Sequence, residues 1–213
     1  MSARLSRRDA LALLLTAVVV APVSAQTRGD NAAELQRIEA YLNGIRTLRA
    51  RFLQVASSGA TAEGTILIKR PGKLKLDYAP PAQQMIITTS NFVAYVDKEA
   101  KQTSYQPLSS SLAGILVRPQ IKLSGDLRVT DVSRAPGVVR VRLVLAKEPD
   151  AGSITLVLSE SPLELRQWIV VDPQGNSVEV TLQNAQFGVP IDDKEFEFID
   201  PNSPVARELQ QRR

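Results

Sequence analysis

The stretch Thr65-Ile66-Leu67-Ile68-Lys69-Arg70-Pro71-Gly72-Lys73-Leu74-Lys75-Leu76-Asp77-Tyr78 reads as two strands folded about a turn. Its first half is β-branched and apolar. Pro71-Gly72 ends that run, because proline offers no N–H to a ladder and glycine accepts the backbone angles of a tight turn. From Lys73 the pattern alternates strictly. Leu74, Leu76 and Tyr78 face one way, while Lys73, Lys75 and Asp77 face the other. A period of two predicts a strand with one dry and one wet face, the mark of an antiparallel sheet.

The same grammar extends in both directions. Strands are predicted at 48–55, 65–70, 73–78, 85–89, 91–97, 101–105, 127–133, 138–145, 153–159, 163–171 and 177–185, with a short last strand at 196–199. Ser57-Ser58-Gly59, Pro80-Pro81, Ser90-Asn91, Asp97-Lys98 and Asp172-Pro173-Gln174-Gly175-Asn176 supply the turns. At 138–145, Val139, Val141, Leu143 and Leu145 share the dry face, and Arg140 and Arg142 take the wet one. Counting alternate residues places Trp168 with Glu164 and Arg166, opposite Leu165 and Ile169.

Two segments break the period. Leu35, Ile38, Tyr41, Leu42 and Ile45 recur at helical spacing, with Asn31 as a plausible cap and Glu34, Arg37, Glu39 and Arg46 on the polar side. Midway, Leu112, Ile115 and Leu116 predict a short apolar helix ahead of Arg118-Pro119. The sum is mainly β: about eleven antiparallel strands in one curved sheet or open barrel, with helices against one face.

The first 25 residues read as an export signal. Arg4, Arg7 and Arg8 precede an apolar run from Ala10 to Ala21, and Val23-Ser24-Ala25 carries small residues where a signal peptidase cuts. The run is too short for the roughly 20 residues of a spanning helix. Ser6-Arg7-Arg8-Asp9 also resembles a twin-arginine signal, which leads to the same compartment. The expected division is a signal at 1–25, one domain at 26–202 and a polar tail at 203–213.

Composition narrows the function. The 213 residues include no cysteine and no histidine. That removes thiolate nucleophiles, the usual general base and the commonest metal ligands, so no enzyme, metal or cofactor is expected. The net charge of +4 has no long basic run behind it, so no nucleic-acid partner is expected. Asp192, Asp193 and Glu195 are too few and too linear for a calcium site and read as a polar loop. Filling a wide sheet takes many bulky rings, yet aromatics make up only 5% of the chain. The dry faces are aliphatic instead: Leu74, Leu76, Ile86, Val139, Val141, Leu143, Ile154 and Leu156. Such an interior either holds an apolar cavity or is plugged by the helices.

Leu48-Arg49-Ala50-Arg51-Phe52-Leu53-Gln54, the strand from Glu63-Gly64 to the Lys69-Arg70-Pro71 corner, the alternating strand to Tyr78, and Phe187-Gly188-Val189-Pro190 through Phe196-Glu197-Phe198 resemble the LolA family. The resemblance spans about residues 31 to 202, and the Lys-Arg-Pro strand is its most specific part. It implies an unclosed antiparallel barrel with a helical lid, acting as a monomeric periplasmic carrier. Its cargo would be acylated lipoproteins, released by an inner-membrane transporter complex and delivered to an outer-membrane acceptor. In the family the arginine of Lys-Arg-Pro sits at the cavity mouth and bonds to the lid; here that is Arg70. Leu74 and Leu76 stand where the family often has cavity-facing aromatics. The implied lipid-contacting set is Arg70 with Ile66, Ile68, Leu74, Leu76, Tyr78 and Ile86 on the sheet, and Leu112, Ile115 and Leu116 on the lid. The way in is expected beside the Lys69–Pro71 corner. A related carrier or envelope-stress sensor that binds another lipid is the alternative.

Overall fold

The computed structural model describes residues 24–200 apart from 90 and 112. The export segment up to residue 23, Leu112 of the midway helix and the tail from 201 lie outside the described residues. Helix α1 covers Ser24–Gly44. Eleven strands follow: β1 Thr47–Ala56, β2 Thr61–Lys69, β3 Lys73–Tyr78, β4 Gln84–Thr88, β5 Phe92–Asp97, β6 Gln102–Pro107, β7 Leu127–Ala135, β8 Val138–Leu145, β9 Ser153–Glu160, β10 Leu163–Val171 and β11 Ser177–Phe187. They build one antiparallel sheet in the order β6-β5-β4-β3-β2-β1-β11-β10-β9-β8-β7. Two meanders, β1–β6 and β7–β11, are joined where β1 lies against β11, from Leu48 opposite Phe187 to Ala56 opposite Val178. Among the described residues β6 and β7 remain unpaired edges, so the barrel is unclosed, as expected.

The alternation at β3 plays out as read. Leu74, Leu76 and Tyr78 are buried, and Lys73, Lys75 and Asp77 are half-exposed. The inner faces of β1–β3 and β7–β11 form one apolar cluster with Ile38 and Leu42 of α1. Gly64 lies opposite both Phe52 and Tyr78. A Cβ there would meet the Phe52 ring at 2.7 Å, so the glycine lets Phe52 and Tyr78 pack edge to face at 5.1 Å across it.

Three expectations are corrected. The helix does not begin at Asn31; it starts at Ser24, and the Asn31 side chain instead accepts from Arg134 Nη1 at 3.5 Å. The strand expected at 196–199 is absent, and a 3-10 turn occupies Asp193–Phe196, capped by the Asp192 side chain. Three charged residues, Asp193, Lys194 and Glu195, and the Asp192 capping carboxylate outweigh the local Phe-x-Phe pattern. Trp168 does not face away from Leu165. A bulge between Leu165 and Gln167 inserts one residue and reverses the count, so both join the inner core. The Leu165 amide at this irregularity donates to Tyr41 Oη on α1 at 2.9 Å.

Candidate binding cavity and lid

The segment between β6 and β7 crosses the concave face. Its two 3-10 turns, Leu108–Ser110 and Ala113–Val117, bury Ile115, Leu116 and Val117, and Ile121 and Leu123 follow. Side chains of α1 hold this lid. Asn43 accepts from Ile121 N at 2.9 Å and donates to Ile121 O at 2.8 Å, and Glu39 accepts from Leu123 N at 2.8 Å. Neither was singled out in the sequence. In the sequence Glu39 falls on the polar side of the helix, where a single polar residue beside an apolar stripe carries no distinguishing signal.

Arg70 joins the three parts. It stands at the end of β2, where the chain turns through Pro71-Gly72. It is 7% exposed. Its Nε donates to Arg118 O of the lid at 2.9 Å. Nη1 donates to Leu42 O at 2.5 Å and Ile45 O at 3.2 Å, and Nη2 to Asn43 Oδ1 at 3.2 Å and Pro119 O at 3.4 Å. All five guanidinium donors are thus engaged. Every acceptor is neutral, and no carboxylate pairs with Arg70 among the described residues. The positive charge rests on carbonyls at the C-terminal end of α1, the negative end of the helix dipole. Burial, and secondarily the charge of Arg46, lower its pKa. The next N–H of the corner also serves the lid: Gly72 N donates to Val117 O at 2.8 Å.

At this corner the interior is filled. Leu42, Ile45, Leu48, Ile68, Arg70, Leu116, Ile121 and Leu165 leave a gap of only about 10 Å³. The expected entrance beside Lys69–Pro71 is therefore closed, because α1 and the lid close over Arg70 there. The open space lies farther along the same face. A cavity of about 410 Å³ is floored by Gln54, Trp168, Val170, Val178 and Val180. It is walled by Leu74, Leu76, Tyr78, Ile86 and Ile154, roofed by Ser111 and Leu116, and rimmed by Tyr95, Gln106, Ala151, Asp172 and Pro173. Tyr78 Oη bonds to Gln54 Oε1 at 2.7 Å, and burial pushes the Tyr78 hydroxyl up to about 12. It stays protonated and neutral at any physiological pH.

The sequence-derived set therefore divides. Leu74, Leu76, Tyr78, Ile86 and Leu116 line the cavity. Arg70 and Ile68 line the closed corner. Ile66 and Ile115 are fully buried in the packed core. Trp168, Val178 and Val180 were missed as lining residues; the bulge hid the first, and the half-buried β11 pattern hid the others. The Asp192–Glu195 loop has its carboxylates occupied. Asp193 bridges Lys69 and Lys73, and Glu195 meets Arg49 at 2.6 Å.

A profile of the family described as "Outer membrane lipoprotein carrier protein LolA" matches residues 43–199. An outer-membrane lipoprotein carrier protein of Methylococcus capsulatus is 25% identical over 173 residues, covering 78% of this chain and 83% of its own length. One from Pseudomonas paraeruginosa is 27% identical over 190 residues, covering 84% and 90%. Among solved structures, a DUF1329 family protein from Desulfovibrio piger superposes with a TM-score of 0.50 at 10% identity, covering 79% of this chain and 96% of that one. A LolA superfamily protein from Nitrosomonas europaea gives 0.44 at 12% identity, covering 77% and 97%.

Proposed function

The chain belongs to the LolA family of outer membrane lipoprotein carriers, and from that premise we propose that it ferries acylated lipoproteins across the periplasm. In this reading residues 1–25 direct export and 26–202 form the carrier. The cargo comes from an inner-membrane lipoprotein-releasing transporter and passes to an outer-membrane acceptor. The observation that carries the proposal is the apolar cavity of about 410 Å³ beneath a lid held by the buried Arg70 together with Asn43 and Glu39 of α1. No helix among the described residues is long and apolar enough to cross a membrane.

The magnitudes suit a carrier. Withdrawing an acyl chain of about 15 CH₂ groups from water is worth on the order of 12 kcal/mol. Each hydrogen bond to a charged group contributes about 1.5–3 kcal/mol, less where it is long. Only the bonds from Arg70 to Arg118 O and Pro119 O cross to the lid, so the latch supplies a few kcal/mol, a fraction of the gain from one acyl chain. Chains entering under the lid displace it, and Arg70, held only by neutral carbonyls, is easily rehydrated when it opens. Re-forming its two bonds to the lid lowers the energy of the empty state and therefore favours release. Arg70, Leu74, Leu76, Tyr78, Ile86 and Leu116 are the residues we assign to this cycle.

Mass spectrometry of the protein taken from its own periplasm tests the reading. Co-purified triacylated lipoprotein is expected; a free phospholipid or glycolipid alone would favour the lipid-binding alternative. Arg70→Leu should load but unload slowly to a membrane acceptor, and unloading at the wild-type rate would remove Arg70 from the cycle.

A further inference from the structure

The hairpin that presents Arg70 to the lid is held on its other face by the segment after β11. Lys69 ends β2 and Lys73 begins β3, and they lie directly opposite each other across the Arg70-Pro71-Gly72 turn. Like charges facing each other across a strand pair repel. Asp193 Oδ1 sits between them, 2.6 Å from Lys69 Nζ and 2.8 Å from Lys73 Nζ. Lys69 Nζ also donates to Ile191 O at 2.9 Å. Ile191 is 5% exposed, and the Phe196 ring lies 6.0 Å from Lys73 Nζ. Phe198 then packs on the outer cluster of Ile87, Ala94 and Val96, and the Asp200 carboxylate accepts from Tyr105 Oη at 2.8 Å on the edge strand. Residues 191–200 thus form a strap across the convex face, anchored at both ends.

We propose that Asp193 is a positioning residue of the lid latch, acting on Arg70 from the opposite face of the sheet. It touches neither lid nor cavity. By neutralising the Lys69–Lys73 pair it keeps the two strand ends together, and so fixes the turn from which Arg70 and Gly72 reach the lid. Without it the two ammonium groups splay the hairpin at its mouth, one residue from the guanidinium. A partner that lifted the strap would loosen the lid without entering the cavity. This inference rests on Arg70 being the latch.

The test places spin labels on the lid and on β9 of the full chain and reads the distance distribution without cargo. Asp193→Asn is expected to raise the open-lid fraction about two- to five-fold, the size expected of an exposed ionic contact, with the urea midpoint nearly unchanged. The swap Asp193→Lys with Lys69→Asp should return the fraction toward wild type, which a merely local loss of structure would not permit. An unchanged lid in Asp193→Asn, while Arg70→Leu opens it, overturns the positioning role and leaves the latch intact. An unchanged lid in Arg70→Leu overturns both.

Discussion

The two ends of the concave face are built from the same kinds of residue and are filled differently. At the Arg70 corner, Leu48, Ile68 and Leu165 lie under α1 and the lid with about 10 Å³ to spare. Farther along, Leu76, Val178 and Val180 border about 410 Å³. Aliphatic strands alone therefore do not decide whether an interior is packed or vacant. What decides is whether a second element lies on them. Helix α1 ends at Gly44 over the corner, and the lid turns end at Val117 beside it, so one end is covered and the other is only roofed.

The largest test of this contrast is a matched pair of truncations read by urea unfolding. Leu42→Ala at the filled end should cost about 2–5 kcal/mol, the range for opening a cavity in a packed site. Leu76→Ala already borders empty space and should cost about 1 kcal/mol, since fewer packing contacts are lost. Equal costs would mean that the two ends are equally packed. Next comes Arg70→Leu, which leaves the Leu42, Ile45 and Arg118 carbonyls without their donor. The empty protein should lose about 1–3 kcal/mol, and the loss should shrink once an acyl ligand has displaced the lid. The smallest stability effect belongs to Val178→Trp at the cavity floor. It should leave the unfolding midpoint within about 0.5 kcal/mol of wild type while abolishing uptake of a fluorescent acyl probe, because the new ring occupies space the native fold leaves free.

Much of the sheet was legible in the sequence because its signals are local. Strict alternation at 73–78 and 138–145, and turn residues at Pro71-Gly72 and 172–176, set the strand ends to within a residue or two. Where the signal depends on a partner, the reading went astray. One extra residue near Leu165 turned Trp168 inward, and only the cross-strand register reveals it. The Phe196–Phe198 pattern looked like a strand, but Asp192 and the lysines of the β2–β3 hairpin draw it into a turn and a strap. The motif identified Arg70 as the lid contact. Its five neutral acceptors, and the filling of the corner around it, depend on how α1 and the lid fold back over the sheet. Asn43 and Glu39 escaped notice for the same reason: their partners are 78 and 84 residues away.

The claim on which the rest depends is that hydrocarbon occupies the space beyond the latch. A lipopeptide carrying a photoreactive diazirine in its acyl chain, cross-linked to the protein and mapped by mass spectrometry, examines this directly. Adducts are expected on Leu74, Leu76, Tyr78 and Trp168, and Val178→Trp should abolish them. Adducts confined to the exposed Phe92 and Tyr105 pair on the outer face, unchanged by Val178→Trp, would contradict the account.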